Sequence, residues 1–259
     1  MNYATIQISR DGPVQTITLN RPERRNAMTP EMQTELISAF EAAGSGDSSV
    51  LVLTGAGQAF CSGLDLSALR AMRDGSPSTE RADSERLACL FRTLWELPIP
   101  TIAAVRGPAI AGGAGLATVC DFAIAAPDAM FGFTEVRIGF IPAIVSTFLE
   151  LQVGGRYSSD LLLTGRVIDA TEALRIALIN EIAPSDQLDD RVRALATTLL
   201  RNSPQSLRDT KRLLRATQKP WLDAALSAAI EAGASARHSP DFAEGIAAFL
   251  EKRKPVWQK

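Results

Sequence analysis

Two glycine-bearing turns carry residue types that could stabilise negative charge. One spans residues 59–66 (Ala-Phe-Cys-Ser-Gly-Leu-Asp-Leu) and the other spans residues 107–115 (Gly-Pro-Ala-Ile-Ala-Gly-Gly-Ala-Gly). Each turn follows an apolar, strand-like run and is expected to lead into a helix. Because glycine lets the backbone approach a ligand and leaves its N–H groups unshielded, two such turns could aim two donors at one point. That construction is an oxyanion hole, which stabilises charge developing on a carbonyl oxygen.

The composition is that of an ordinary globular protein. The 259-residue chain is 46% hydrophobic and 22% charged, and its formal net charge is −2. Such a small net charge gives no broad electrostatic footprint for nucleic acid or a membrane, so we expect neither partner. The chain starts almost at once with a strand pattern, without the features of a secretory signal or a transmembrane run. We therefore expect a cytoplasmic protein.

The cysteines and the single histidine narrow the possible chemistry. Cys61, Cys89 and Cys120 are odd in number, widely spaced and embedded in apolar sequence, so we expect reduced, mostly buried thiols. The single histidine, His238, excludes a zinc enzyme with several histidine ligands. Its setting, Ala-Arg-His-Ser-Pro, is typical of an exposed helix end rather than of the base in a Ser-His-Asp triad.

The first 183 residues alternate between strand-like runs, turns and helices, which indicates an α/β fold. Thr29 and Pro30 are typical of a helix start, and Met32, Leu36 and Phe40 give that helix one buried face. The predicted strands are residues 4–9, 14–19, 50–53, 101–105 and 122–125.

Further signals along the chain predict loops, helix starts and helix ends. The polar residues 73–78 predict a mobile loop, followed by a helix that ends near Glu96. Asp169 has the position of a helix cap in a capping box. We expect an α/β core over residues 1–183 and a helical region over residues 184–259. The helices of that region are predicted to break at residues 203–204, 219–220 and 239–240, where each pair ends in proline.

Seven motifs, in order along nearly the whole chain, resemble the enoyl-CoA hydratase/isomerase family, the crotonase superfamily. The resemblance implies a core of stacked ββα units with two roughly perpendicular sheets, followed by helices used in self-association. It also implies a homotrimer or a dimer of trimers, and no metal or redox cofactor. The motifs are residues 20–28, 59–66, 107–115 with Cys120-Asp121, 131–135, 139–142, 163–166 and 249–253.

The family's two oxyanion-hole donors fall on the backbone N–H groups of Leu64 and Gly112. By this resemblance they would bind the thioester carbonyl of an acyl-CoA, and bind the enolate more strongly. Arg24 and Arg25 are candidates for the coenzyme A phosphates, since a guanidinium group suits phosphate geometry. Lys252 resembles a family lysine that reaches coenzyme A, although it could equally belong to a solvated basic helix end. The other candidate contacts are Ala27, Ser62, Gly63, Asp65, Leu66 and Gly113.

Family hydratases use two glutamates, of which one falls here on Glu135 and the other on Gly115, which cannot transfer a proton. Apolar neighbours are expected to raise the pKa of Glu135, which suits a general acid or base. The alternative is a surface glutamate paired with Arg137. Asp65 is interpreted as part of its turn, and Asp121 as a hydrogen-bonding residue at a helix end or loop. No spacing argument places Glu150 at the site.

A single glutamate leaves several functions open. Glu135 could add water across a 2-enoyl thioester, or it could shuttle one proton as in the family's 3,2-enoyl-CoA isomerases. Residues 134–143, with glycine at position 115, resemble hydratases that act on branched glutaconyl-type thioesters, and this favours the hydratase. Arg137 could then meet a distal carboxylate. A malonyl-type decarboxylase and a non-catalytic acyl-CoA-binding protein are the remaining alternatives.

Overall fold

The computed structural model of the chain describes residues 3–65, 68, 71 and 76–257. Its strands are β1 (Ile6–Asp11), β2 (Val14–Leu19), β3 (Val50–Gly55), β4 (Thr101–Val105), β5 (Pro108–Ile110), β6 (Phe122–Ala125), β7 (Met130–Gly132), β8 (Val167–Asp169) and β9 (Glu181–Ile182). Its α-helices are α1 (Pro30–Ser45), α2 (Pro77–Glu96), α3 (Gly112–Val119), α4 (Ala143–Thr164), α5 (Ala170–Arg175), α6 (Leu188–Leu200), α7 (Pro204–Ala236) and α8 (Pro240–Glu251). Short 3₁₀ helices span Pro22–Arg24 and Glu135–Ile138.

The strands form two sheets, so the predicted α/β class is confirmed. Six strands follow the order β1-β2-β3-β4-β6-β9, in which the β1–β2 pair is antiparallel and the other pairs are parallel. The second sheet has the order β5-β7-β8. The first strand lies two residues later than predicted, because Asp11 pairs with Val14 across a tight turn and the pairing runs back from there to Ile6.

The predicted helix starts are confirmed by their caps. The side chain of Thr29 accepts a hydrogen bond from the backbone N–H of Met32 at the start of α1. Asp169 accepts in the same way from the N–H of Glu172 at the start of α5. Helix α2 ends at Glu96 as expected but begins at Pro77, inside the predicted loop 73–78, because Ser76 caps it there. Residues 73–75 of that loop lie outside the described residues.

The C-terminal helices pack on the chain's own core. Helix α6 places Val192 and Ala196 against one face of the larger sheet, next to Val52 and Ile102. Helix α7 brings Leu222 into the main core. These contacts bury part of the apolar surface of the C-terminal helices, while Leu213, Leu214 and Trp221 of α7 stay exposed.

The predicted break at residues 219–220 is wrong, since α7 runs through Pro220 without interruption. A proline inside a helix costs about 3 kcal/mol, through a lost hydrogen bond and a clash with the preceding turn. Here the ring is exposed to solvent. On one side of it Arg215 Nη2 bonds Asp121 Oδ1 at 2.7 Å, and on the other Leu222 and Leu226 are buried. Tertiary contacts on both sides of Pro220 therefore outweigh the local break.

Candidate active site

One cavity of about 280 Å³ gathers the two glycine turns and Glu135. The turns contribute Leu64 and Gly112 to its wall, and the 3₁₀ helix Glu135–Ile138 contributes its first residue. Helices α1, α2, α4, α7 and α8 also contribute to the wall. Within the described residues, no cluster of histidine, cysteine or acidic side chains could hold a metal ion, and no helix is long and apolar enough to cross a membrane.

The first turn presents the Leu64 N–H without an internal acceptor. Met28 brackets Leu64, because its N–H donates to the Gly63 carbonyl at 2.7 Å while its own carbonyl accepts from Asp65 N–H at 2.9 Å. These bonds fix the backbone on both sides of Leu64. The chain turns at Gly63, where φ is +91°, a conformation that favours glycine. Among the described residues, no acceptor is found for the Leu64 N–H itself.

The second turn presents the Gly112 N–H at the start of α3. Ala111 has φ 52° and ψ −123°, which is a strained conformation for a residue with a side chain. It is held there because its N–H donates to the Gly132 carbonyl at 2.7 Å and its carbonyl accepts from Gly115 N–H at 3.0 Å. The positive end of the α3 dipole lies at Gly112. The sequence gives no signal of the strain at Ala111, since alanine is an ordinary helix residue.

The two turns are hydrogen-bonded to each other. Cys61 N–H donates to the Pro108 carbonyl at 3.1 Å, and Ile110 N–H donates to the Cys61 carbonyl at 2.9 Å. The approach is close enough that a Cβ at Gly113 would lie 2.3 Å from the Cys61 carbonyl oxygen. The structure therefore brings the two predicted donor turns side by side.

Asn26 holds the first turn from behind, a role the sequence did not reveal. Its side-chain Nδ2 donates to the carbonyls of Ala56 and Ala59 at 2.9 and 2.8 Å, and its Oδ1 accepts from Arg21 N–H at 2.9 Å. The residue is fully buried and its φ is +54°. Asparagine tolerates that left-handed backbone better than most residues. The signal was present in the Arg-Arg-Asn run, where a short polar side chain follows two charged ones.

Glu135 is placed at the cavity by a tight local turn. Gly139 ends the 3₁₀ helix with φ 66°, and a Cβ there would lie 2.1 Å from the Asp241 carbonyl oxygen of α8. Helix α8 adds Phe242, whose ring centroid lies 5.1 Å from that of Phe140. Because α8 packs so closely on this turn, the Glu135 backbone is fixed relative to the cavity.

The Glu135 carboxylate has the electrostatics of a general acid or base. Its oxygen Oε2 is buried and has no hydrogen-bond partner among the described residues. Burial raises the pKa of Glu135 to about 7, and a hydrogen bond from its own backbone N–H offsets part of that rise. Arg137 is exposed and does not line the cavity, so the alternative of a surface pair is not what the structure shows.

Several predicted coenzyme A contacts lie at or beside the first turn. Ser62 and Gly63 line the cavity, and Leu66 lies outside the described residues. Asp65 is buried and accepts a hydrogen bond from Arg21 Nη1 at 3.0 Å, which agrees with its interpretation as part of the turn.

Other predicted contacts lie away from the cavity wall. Arg24 and Arg25 are exposed beside the first turn. Ala27 is buried, and its carbonyl accepts from Arg21 Nη1 at 2.6 Å. Lys252 is exposed at the C-terminal end of α8 with φ 56°. These residues do not line the cavity, and Gly113 lies within α3 against Cys61.

The remaining polar candidates have structural settings. Asp121 accepts from Thr101 N–H at 2.9 Å and pairs with Lys211 and Arg215, as expected of a hydrogen-bonding loop residue. Glu150 is exposed, and His238 is 59% exposed beyond the end of α7. Cys61 and Cys120 are buried free thiols, whereas Cys89 is exposed because its position on α2 faces solvent.

Comparisons with known proteins identify the family of the chain. A family model described as "Enoyl-CoA hydratase/isomerase" matches residues 9–259. A Thermus thermophilus protein named "Putative enoyl-CoA hydratase" is 43% identical over 96% of this chain and 99% of its own length. A "2,3-dehydroadipyl-CoA hydratase" of Escherichia coli is 34% identical, with 96% of both chains covered. The crystal structure of an enoyl-CoA hydratase/isomerase from Xanthobacter autotrophicus Py2 superposes with a TM-score of 0.90, at 33% identity, covering 96% of this chain and 94% of that one. The family match over nearly the whole chain and these relatives show that the chain belongs to the enoyl-CoA hydratase/isomerase family and is an enzyme.

Proposed function

We propose that this enzyme adds water across the 2,3 double bond of an acyl-CoA thioester. The observation that carries the proposal is that Glu135, whose buried oxygen Oε2 has no partner among the described residues, lines one cavity with Leu64 and Gly112. A carboxyl group with a pKa of about 7 can both accept and return a proton near neutral pH.

In the proposed reaction, Glu135 takes a proton from water as the water oxygen bonds to C3 of the acyl chain. The electrons of the double bond move toward the thioester carbonyl and form an enolate oxygen. The N–H groups of Leu64 and Gly112 stabilise that oxygen, and each such donor is worth about 2.7–4 kcal/mol in the transition state. Glu135 then returns its proton to C2, so the product has gained one whole water molecule.

A 3,2-enoyl-CoA isomerase is the second candidate, and the surroundings of Gly115 favour it. A Cβ at Gly115 would lie 2.6 Å from Val145 Cγ1 and 2.9 Å from Phe91 Cζ. Core side chains therefore fill the position at which family hydratases have their other glutamate. One carboxylate is enough for an isomerase, because the proton that leaves C4 or C2 returns to the other carbon.

We further propose that the acyl chain is of the glutaconyl type and ends in a carboxylate. The resemblance of residues 134–143 to such hydratases supports this, as does the Escherichia coli relative named as a 2,3-dehydroadipyl-CoA hydratase. Proton transfer and enolate stabilisation by these residues need no metal or redox cofactor.

We also propose that the enzyme forms a trimer. The exposed Leu213, Leu214 and Trp221 of α7 support this proposal, and light scattering would detect a trimer as a mass three times that of one chain.

Incubation with 2-enoyl-, 3-enoyl- and 3-methylglutaconyl-CoA in heavy water, followed by mass spectrometry, tests the reaction. Gain of a whole water molecule on a 2-enoyl thioester is the expected result. Deuterium uptake with double-bond migration, and no added water, would contradict the hydratase and support the isomerase. Exchange or turnover that survives in Glu135→Gln would remove Glu135 from the mechanism.

A further inference from the structure

A charged cluster lies on the cavity wall contributed by α2 and the C-terminal end of α7. It comprises Asp83 and Arg86 of α2 and Arg237, which directly follows α7. Asp83 accepts from both arginines, from Arg86 Nη2 and, at 3.3 Å, from Arg237 Nη1. Arg86 Nε also donates to Gln33 Oε1 at 3.0 Å. Two guanidinium groups thus share one carboxylate, and the cluster has a net positive charge.

Arg237 is under-satisfied for a buried cation. Its side chain is only 4% exposed, and its Nε is buried without an acceptor. No hydrogen bond from its Nη2 is found among the described residues either. Nε and Nη2 form the edge of a guanidinium group that binds a carboxylate through two parallel hydrogen bonds. A buried donor without a partner typically costs 1–3 kcal/mol, so an under-satisfied guanidinium group that lines a cavity points to an anionic ligand.

We propose that Arg237, assisted by Arg86, binds a carboxylate at the far end of the acyl chain. This inference rests on the proposed function, since it assigns the cation that a dicarboxylic thioester needs. Arg137, the cation expected from the sequence, is exposed and does not line the cavity, so the structure replaces it with Arg237. The other cavity-lining residues near Arg237, such as Leu87 and Gly233, offer no charge of their own.

A coenzyme A phosphate is the other anion that Arg237 could meet. That group is common to every acyl-CoA, whereas a distal carboxylate is present only in dicarboxylic thioesters. Comparing thioesters of equal chain length, with and without the terminal carboxylate, therefore separates the two sources.

Calorimetric binding of adipyl-CoA and hexanoyl-CoA tests the proposal directly. Both thioesters are saturated and cannot be hydrated, so the result does not depend on whether the proposed reaction is correct. We expect the wild-type enzyme to prefer adipyl-CoA, and Arg237→Gln to reduce that preference by about 10- to 100-fold. Arg212→Gln is the matched control, because Arg212 lies on α7 with a side chain that is 78% exposed.

Two results would overturn the proposal. One is a wild-type enzyme that binds adipyl-CoA no more tightly than hexanoyl-CoA and glutaryl-CoA no more tightly than pentanoyl-CoA. The other is an equal loss of affinity for both members of a pair in Arg237→Gln, which would assign Arg237 to coenzyme A or to structure. If Arg237→Gln does not fold, Arg86→Gln and Arg237→Lys are measured instead, with a reduced preference expected in each. A failure of the heavy-water experiment with an intact binding preference would reject the proposed reaction and leave the carboxylate subsite standing.

Discussion

Phe91 occupies the space beside Gly115 that any side chain there would need. A Cβ at Gly115 would lie 2.9 Å from Phe91 Cζ and 3.1 Å from Phe91 Cε1, with Val145 Cγ1 at 2.6 Å. Phe91 is fully buried and its ring stacks at an angle on Phe148, with 5.8 Å between centroids. The lack of a carboxylate at position 115 is therefore built into the core, and a glutamate there would need the core to repack.

Replacing Gly115 with alanine is predicted to destabilise the fold by about 1–3 kcal/mol, because a methyl group must be forced into a packed core. Gly155→Ala is the matched control, since a Cβ there meets only Glu150 Oε1 at 3.9 Å. Alanine is the better helix former, so that control should be neutral or stabilising by up to about 1 kcal/mol. Denaturant unfolding of both variants measures the difference. Equal stabilities would contradict the tight packing at Gly115.

The sequence predicted those parts of the fold that are encoded locally. Thr29 and Asp169 cap their helices as expected, and the strand that begins at Val50 lies where continuous apolar residues predicted it. Pro220 is the instructive failure. Its local signal is a helix break, but the contacts that keep α7 continuous come from residues far away along the chain, such as Asp121.

In the site, too, the sequence predicted the residues that local patterns or the family resemblance indicate. The donor turns follow from glycine chemistry, and Glu135 follows from its family position and apolar neighbours. Asp83 and Arg237 are 154 residues apart, so no local pattern indicates that they meet. The three-residue strands of the second sheet are also too short to show a periodicity, and only the family resemblance predicted a second sheet.

The activity is predicted to follow a pH profile set by Glu135. Only the ionised carboxylate can take a proton from water, and its pKa is about 7. We therefore expect kcat/KM for a 2-enoyl thioester to rise with pH and to reach half its maximum near pH 7. Glu135→Gln should lower kcat by about 10²- to 10⁴-fold with little change in binding of a saturated acyl-CoA. Glu150→Gln, at an exposed position on α4, should leave the profile as it is, and a flat wild-type profile would argue against Glu135 as the base.

Stability should depend on pH through the same carboxyl group. Because the folded pKa is about 7 and the ordinary value is 4.5, the unfolded chain loses this proton first as pH rises. The contribution of Glu135 to the free energy of unfolding therefore falls by roughly 2–4 kcal/mol between about pH 4.5 and pH 7. Above that range it levels off. Glu135→Gln cannot ionise, so it should gain stability relative to wild type over that range. Urea unfolding at several pH values measures this difference. For Glu150→Gln, the difference in unfolding free energy from wild type should not change with pH. If that difference is also independent of pH for Glu135→Gln, Glu135 is not desolvated in the folded protein.

The first donor turn is predicted to depend on Asn26. Alanine there removes the partners of the Ala56 and Ala59 carbonyls and of the Arg21 N–H, and it places a less tolerant residue at φ +54°. Each unpaired buried group costs about 1–3 kcal/mol, so Asn26→Ala should lower the free energy of unfolding by about 3 kcal/mol or more. Asn202→Ala is the control, because the side chain of exposed Asn202 makes just one hydrogen bond to the described residues, at 3.2 Å to the Thr198 carbonyl. Similar losses in the two variants would show that the turn is held without Asn26, by other bonds such as those of Met28 and Cys61. A larger loss at Asn26, together with a lower kcat in the folded fraction, would tie the position of the Leu64 donor to a side chain that never reaches the cavity.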